Sequence, residues 1–165
     1  MKLNRSELLS GFNNKLFEIA IEDFRFNDLE FSESNIKILI SSEEIDNDIR
    51  IKGQLSVPFL YTCDRCLIKF NKMVEVPFKF LLSSRSSTNR KLLLDIVLIP
   101  KSTDVIDLIP TFRELVYIEL SMRNICTESC KGLCYMCGNN LNVKQCECIE
   151  KKHDKPLDVL KNMVR

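Results

Sequence analysis

The clearest periodicity begins at Ile36. Ile36, Ile38 and Ile40 alternate with Lys37, Leu39 and Ser41, the period of two that a half-buried strand requires. Asp46-Asn47-Asp48 is a turn cluster. Ile49, Ile51, Leu55, Val57, Phe59 and Tyr61 then hold the odd positions, and Cys63 keeps their parity. After Cys66 the parity moves to Ile68, Phe70, Val74, Val76, Phe78, Phe80 and Leu82. Two long strands therefore flank 61–67, and Cys63 and Cys66 are predicted at the tip of an antiparallel hairpin. Pro58 and Pro77 lack a ladder donor and suggest bulges or edge positions.

The flanks are less regular. Phe12, Leu16, Phe17, Ile19 and Ile21 suggest a strand that Phe24 and Phe26 continue. A polar loop is expected over 83–91, and Leu92–Ile99 reads as a buried strand. Residues 104–122 change period: Leu108, Ile109, Phe112, Leu115, Val116, Glu119 and Leu120 form one helical stripe broken only by Glu119, with Asp107 as N-cap and Pro110 in the first turn. Asp154-Lys155-Pro156, followed by Leu157, Leu160 and Val164, predicts a last helix. The fold expected is α+β in a single domain, 1–165. Residues 1–101 are mainly β, 102–122 helical, and 123–165 a Cys-rich section with a C-terminal helix.

At 165 residues, 45% hydrophobic and 28% charged, the chain can bury its own core. No apolar run approaches the roughly 20 residues of a spanning helix. The opening Met1-Lys2-Leu3-Asn4-Arg5-Ser6-Glu7 has no continuous apolar stretch, so a cytoplasmic location is expected, where thiols stay reduced.

Eight cysteines stand beside one histidine. Cys63-x2-Cys66 lies apart. Cys126-x3-Cys130-x3-Cys134-x2-Cys137-x8-Cys146-x-Cys148 follows as a dense run. Secreted disulfides, an iron–sulfur cluster and a redox Cys-x-x-Cys are alternatives. The expected cytoplasmic location, the absence of ferredoxin spacings and the lack of a surrounding βαβ pattern weigh against each in turn. Eight thiolates suit two tetrahedral zinc sites. All-Cys sites leave no position open for water, which argues for a scaffold and against an enzyme, and His153 reads as a surface residue. Cys134, Cys137, Cys146 and Cys148 make one candidate site, leaving Cys63, Cys66, Cys126 and Cys130 for the other, but swapped pairs fit the spacing nearly as well. Cys146-x-Cys148 suggests a strand, since alternate residues share a face.

Charge is uneven. Residues 1–64 hold 7 basic and 12 acidic residues, whereas 65–101 hold 8 and 2. The basic stripe includes Arg65, Lys69, Lys72, Lys79, Arg85, Arg90, Lys91 and Lys101. It reads either as a phosphate contact or as a solvated face whose lysines guard a sheet edge. Two zinc ions on eight thiolates would move the formal charge from +1 to −3, which disfavours bulk, nonspecific RNA binding. No Gly-rich phosphate loop, zincin motif or nucleophile elbow is present.

Ile106-Asp107-Leu108, Arg113-Glu114, the spacing Cys126 to Cys148 with Lys131-Gly132-Leu133 and Asn140-Leu141-Asn142, Asp154-x-Pro156-Leu157, and Cys63-x-Arg65-Cys66-Leu67 together resemble the bacterial large ribosomal RNA subunit accumulation protein family (YceD). Ser121 and Asn124 depart from the family, standing where prolines are common, so a looser approach to Cys126 is expected. The resemblance implies a non-enzymatic factor for synthesis, processing or stability of large-subunit (23S) ribosomal RNA. Its partners would be that RNA or a pre-ribosomal particle, a ribosomal protein or an assembly factor, with no membrane and no small-molecule substrate. Candidate RNA contacts are Arg65, Lys69, Lys79, Arg85, Arg90, Lys91 and Lys131. The alternative is a zinc-stapled protein–protein adaptor that does not touch RNA.

Overall fold

The computed structural model describes residues 1–84 and 95–148. A five-stranded sheet carries the chain, in the order β2 (Phe12–Ala20), β3 (Asn35–Ile45), β4 (Asp48–Thr62), β5 (Lys69–Ser83), β6 (Asp95–Leu98). Its first four strands are antiparallel, and β6 joins β5 in parallel. A two-stranded sheet pairs β1 (Lys2–Asn4) with β7 (Val105–Asp107), directly before helix α3 (Ile109–Glu119). Two short helices, α1 (Arg5–Ser10) and α2 (Ile21–Phe24), flank β2.

Alternation dictates which face is buried. Ile38, Leu55 and Val76 meet in register across three strands, and Ile51 meets Phe80. All five are buried. Helix α3 lies on this face, with Phe112 packed 5.0 Å from Phe78 and 6.3 Å from Phe80, centroid to centroid. Pro110 sits in the first turn of α3, as its missing N–H allows. Asp107 lies one residue further out than an N-cap, in β7, yet its Oδ1 accepts from the Ile109 amide at 3.1 Å.

Several expectations change. The strand from Phe12 stops at Ala20. Phe24 instead ends the one-turn helix α2, where it is fully buried and stacks on Phe26 at 5.5 Å. The apolar run before Ile99 is an edge strand, not a buried one: Asp95, Ile96 and Leu98 are exposed, while Ile99 is buried. Pro58 and Pro77 cause no bulge, because β4 and β5 stay in unbroken register. Pro77 lies on the part of β5 that β6 does not reach, so its missing donor costs no ladder bond on that side. The loop expected at 83–91 lies largely, and the C-terminal helix wholly, outside the described residues.

Candidate metal centres

The hairpin tip is built by a five-residue turn. Leu67 N donates to Cys63 O at 2.9 Å, and Cys63 N donates to Ile68 O at 2.9 Å. The same pattern recurs downstream: Gly138 N donates to Cys134 O, and Cys134 N to Asn139 O, both at 2.8 Å. Each turn ends in a left-handed residue after its second cysteine, Leu67 at φ 58° and Gly138 at φ 73°. The two Cys-x2-Cys segments are thus one local structure used twice, and each presents two sulfurs to one side.

Partners complete each turn. Cys63, Cys66, Cys126 and Cys130 form one quartet, and Cys134, Cys137, Cys146 and Cys148 the other. Within each, the sulfurs lie within 4.8 Å of one another. This decides between the pairings that spacing leaves open. Cys63 and Cys130 sulfurs are 3.9 Å apart, and those of Cys66 and Cys126 3.6 Å. A tetrahedron with metal–sulfur bonds of about 2.3 Å has edges of about 3.8 Å, whereas a disulfide needs about 2.0 Å. Both quartets could hold a metal ion. Cys146 and Cys148 reach the same site without any ladder, so the strand expected there is absent.

The quartets differ in depth. Cys63, Cys66 and Cys130 are buried, and Phe70, Ile125 and Leu133 pack around them. In the second quartet Cys134 is buried and Cys137 exposed. The first joins the hairpin tip to the chain after α3, while the second closes on its own loop.

Hydrogen bonds to sulfur prepare both groups. Cys126 N donates to Cys63 Sγ at 3.4 Å, and Met136 N to Cys134 Sγ at 3.4 Å. Burial opposes ionisation of Cys63, but the amides of Cys126, Cys66 and Arg65 outweigh it and bring the thiol down to about 6. For Cys66 the Ile68 amide favours the thiolate, yet burial and the neighbouring thiols win, pushing it up to about 12. The second quartet divides the same way. The amides of Cys137 and Met136 bring Cys134 down to about 6, and hydrogen bonding to Cys137, with burial, pushes Cys148 up to about 12. In each quartet the raised thiols, Cys66 and Cys148 among them, retain protons that a divalent cation would displace.

A network that spacing alone does not reveal binds the quartets together. Asn142, beside the second quartet, donates from Nδ2 to Cys130 Sγ at 3.3 Å, and its Oδ1 accepts from Lys131 N at 2.8 Å. Arg65 donates from Nη1 to Cys130 O at 2.8 Å, while its own carbonyl accepts from Leu133 N at 3.0 Å. Gly132, at φ 78°, allows this approach, since a Cβ there would stand 3.1 Å from Arg65 O. The segment leading to Cys126 is also held: Asn124 N donates to Asp64 Oδ2 at 2.6 Å, and Asp64 N to Asn124 O at 2.8 Å. The looser approach expected from Ser121 and Asn124 is therefore not found. A proline at 124 would lack the N–H that Asp64 receives.

These contacts bear on the candidate RNA residues. The Arg65 guanidinium already serves Cys130, and Lys69 pairs with Glu30 at 2.6 Å. Lys72 rests 5.9 Å over the Tyr61 ring. Lys79 is exposed on β5, opposite Lys52, and Lys131 is exposed between the quartets. Arg85, Arg90, Lys91 and His153 lie outside the described residues.

The family described as large ribosomal RNA subunit accumulation protein YceD matches residues 51–164, which takes in most of β4, all of β5, α3 and all eight cysteines. The chain belongs to the YceD family. A chloroplast protein of Arabidopsis thaliana described as YCED homolog 1 is 38% identical over 64 residues, 39% of this chain and 20% of that protein. The Zea mays protein of the same description is 36% identical over 50 residues, 30% of this chain and 17% of its own length. An uncharacterised Mycobacterium leprae protein is 27% identical over 109 residues, 66% of this chain and 50% of that one. The chain thus spans about a fifth of the plant YCED homologues and half of the mycobacterial protein. No solved structure matches it. Among the described residues no helix is long and apolar enough to cross a membrane.

Proposed function

We propose that this YceD-family chain is a non-enzymatic, zinc-stapled factor that supports synthesis, processing or stability of large-subunit (23S) ribosomal RNA in the cytoplasm. The observation that carries the reading is the family match over 51–164, whose description names accumulation of that RNA. The all-thiolate composition of both quartets supports the scaffold role. Four thiolates complete a tetrahedral zinc ion, so neither site offers a position for water or substrate. The experiment is gradient sedimentation of the tagged protein from cells, with zinc measured per chain. Co-sedimentation with precursor large subunits that weakens as salt rises is expected, with two zinc ions bound. A protein that stays at the top of the gradient at low salt overturns the reading.

One observation favours a second reading, the protein–protein adaptor. Arg65 and Lys69 are already engaged, whereas Leu67, Ile68, Tyr135, Met136 and Val143 around the two quartets are exposed. Association with precursor subunits that survives ribonuclease treatment supports the adaptor over direct RNA contact.

A further inference from the structure

A cleft of about 760 Å³ lies where β1, α2 and the first turn of α3 meet. Its charged lining is Lys2, Asp23, Arg25, Asp107 and Arg113. Asp107 is occupied, accepting from the Ile109 amide at 3.1 Å and from the Met1 ammonium at 3.2 Å. The guanidinium groups of Arg25 and Arg113 form no ion pair and no hydrogen bond among the described residues, although Arg113 is half-buried. Lys2 lies near enough to Asp107 to favour its charged form, without reaching ion-pair distance. Asp23 is the one unengaged carboxylate in a lining that also holds three cationic side chains.

The backbone fixes where the two arginines leave the chain. Arg25 is held left-handed at φ 52°, its N–H donating to Glu22 O at 3.2 Å. Phe24 and Phe26, stacked on either side of it in sequence, pin both flanks. Arg113 follows Phe112, whose buried ring against Phe78 sets the rotation of α3. Arg113 is half-buried and Arg25 exposed, and no group among the described residues takes up either fork, so the donors of both guanidinium groups still call for acceptors. That demand is met by an anion with paired oxygens, which the Arg fork matches.

We propose that this cleft binds the phosphodiester backbone of RNA, with Arg25, Arg113 and Lys2 contacting phosphate. The inference rests on the reading that the chain touches ribosomal RNA, and it places that contact away from the 65–101 stripe. A metal-loaded protein of net charge −3 needs a local excess of cations to hold RNA, and this cleft has one. Its volume exceeds what one free phosphate would fill.

The test uses the full, zinc-loaded chain and a 23S ribosomal RNA transcript, with affinity followed from about 50 to 200 mM KCl. Arg25→Gln combined with Arg113→Gln is expected to weaken binding about tenfold or more at low salt. It should also flatten the log–log salt slope by about 1.4 to 1.8, from two phosphate contacts at roughly 0.7 to 0.9 each. Asp23→Asn should tighten binding, a gain that misfolding cannot imitate. Lys37→Gln, exposed on β3 of the sheet, serves as the control for removal of one cation elsewhere. A double variant with the wild-type slope, or a loss per charge no greater than that from Lys37→Gln, overturns the cleft while leaving the ribosomal reading intact. A wild-type chain that does not bind the transcript even at low salt overturns direct RNA contact and the cleft together.

Discussion

Asn142 donates its side-chain N–H to the sulfur of Cys130 across 3.3 Å, so a residue in the loop of one quartet hydrogen-bonds a sulfur of the other. The same side chain accepts from Lys131 N at 2.8 Å and also donates from Nδ2 to Asn140 Oδ1 at 3.0 Å, which fixes the amide's orientation. Outer partners of this kind stabilise thiolate charge and tune metal affinity. Asn142→Ala is expected to release metal from the buried quartet about tenfold more readily in competition with a chromophoric chelator, while both ions still bind at saturation. Asn142→Asp should lose more, because a carboxylate would face thiolates.

The quartets should contribute unequally to stability. Cys66 and Cys126 lie 60 residues apart, and a cross-link closing a loop of that length removes chain entropy worth about 4 kcal/mol in the simplest treatment. Cys130→Ser should cost an amount of that order in urea unfolding. Cys137→Ser opens only the local, exposed group and should leave the midpoint of sheet unfolding nearly unchanged. Equal losses would show that the second quartet also carries the fold.

The repeated turn makes opposite predictions at its two left-handed positions. Leu67 has a side chain where φ is 58°, a conformation that costs an L-residue roughly 1–2 kcal/mol, and that side chain is 64% exposed. Leu67→Gly should therefore stabilise the chain by up to about 1 kcal/mol after the added flexibility of glycine is deducted. Gly138→Ala meets no steric obstacle but takes on the strain, and should cost about 1 kcal/mol. Thermal unfolding of the metal-loaded proteins separates the two signs.

Acid should weaken the tie at the start of α3. Burial would raise the Asp107 carboxyl, but the Ile109 amide, the Met1 ammonium and Lys2 hold it below the usual 3.8. A lowered folded-state value means the stabilisation is fully present above 3.8 and is lost as pH falls through the folded-state value. Asp107→Asn should remove that part of the acid dependence, seen as a flatter stability profile below about pH 4. An unaltered profile would show that the carboxyl is not what acid titrates there.

Periodicity made the centre of the fold legible. Ile36 to Tyr61 and Phe70 to Leu82 alternate because one face of β3, β4 and β5 packs into the core that α3 joins, so the hairpin and the place of Cys63 at its tip followed from parity. An apolar run without alternation is less informative, and 92–99 could not declare itself an exposed parallel edge. Leu67 was hidden for a different reason. A left-handed turn is recognised by its glycine, as at Gly138, and the first copy has none. Asn142 and Arg65 escaped because their partners, Cys130 Sγ and Cys130 O, lie on segments that only the folded chain brings together. In sequence Arg65 is one more basic residue in a charged stripe.

The order of the cysteines along the chain also sets a timetable. A ribosome adds about 5–20 residues per second, so the thiols of the hairpin emerge roughly 3–12 s before Cys126 does. During that interval the sheet's longest hairpin carries two of the four thiols of the first quartet at its tip. The first quartet is therefore a clasp that nascent β5, β7 and α3 must all pass before it can shut, and whatever metal or chaperone meets the waiting pair of thiols acts before the sheet and helix are locked together.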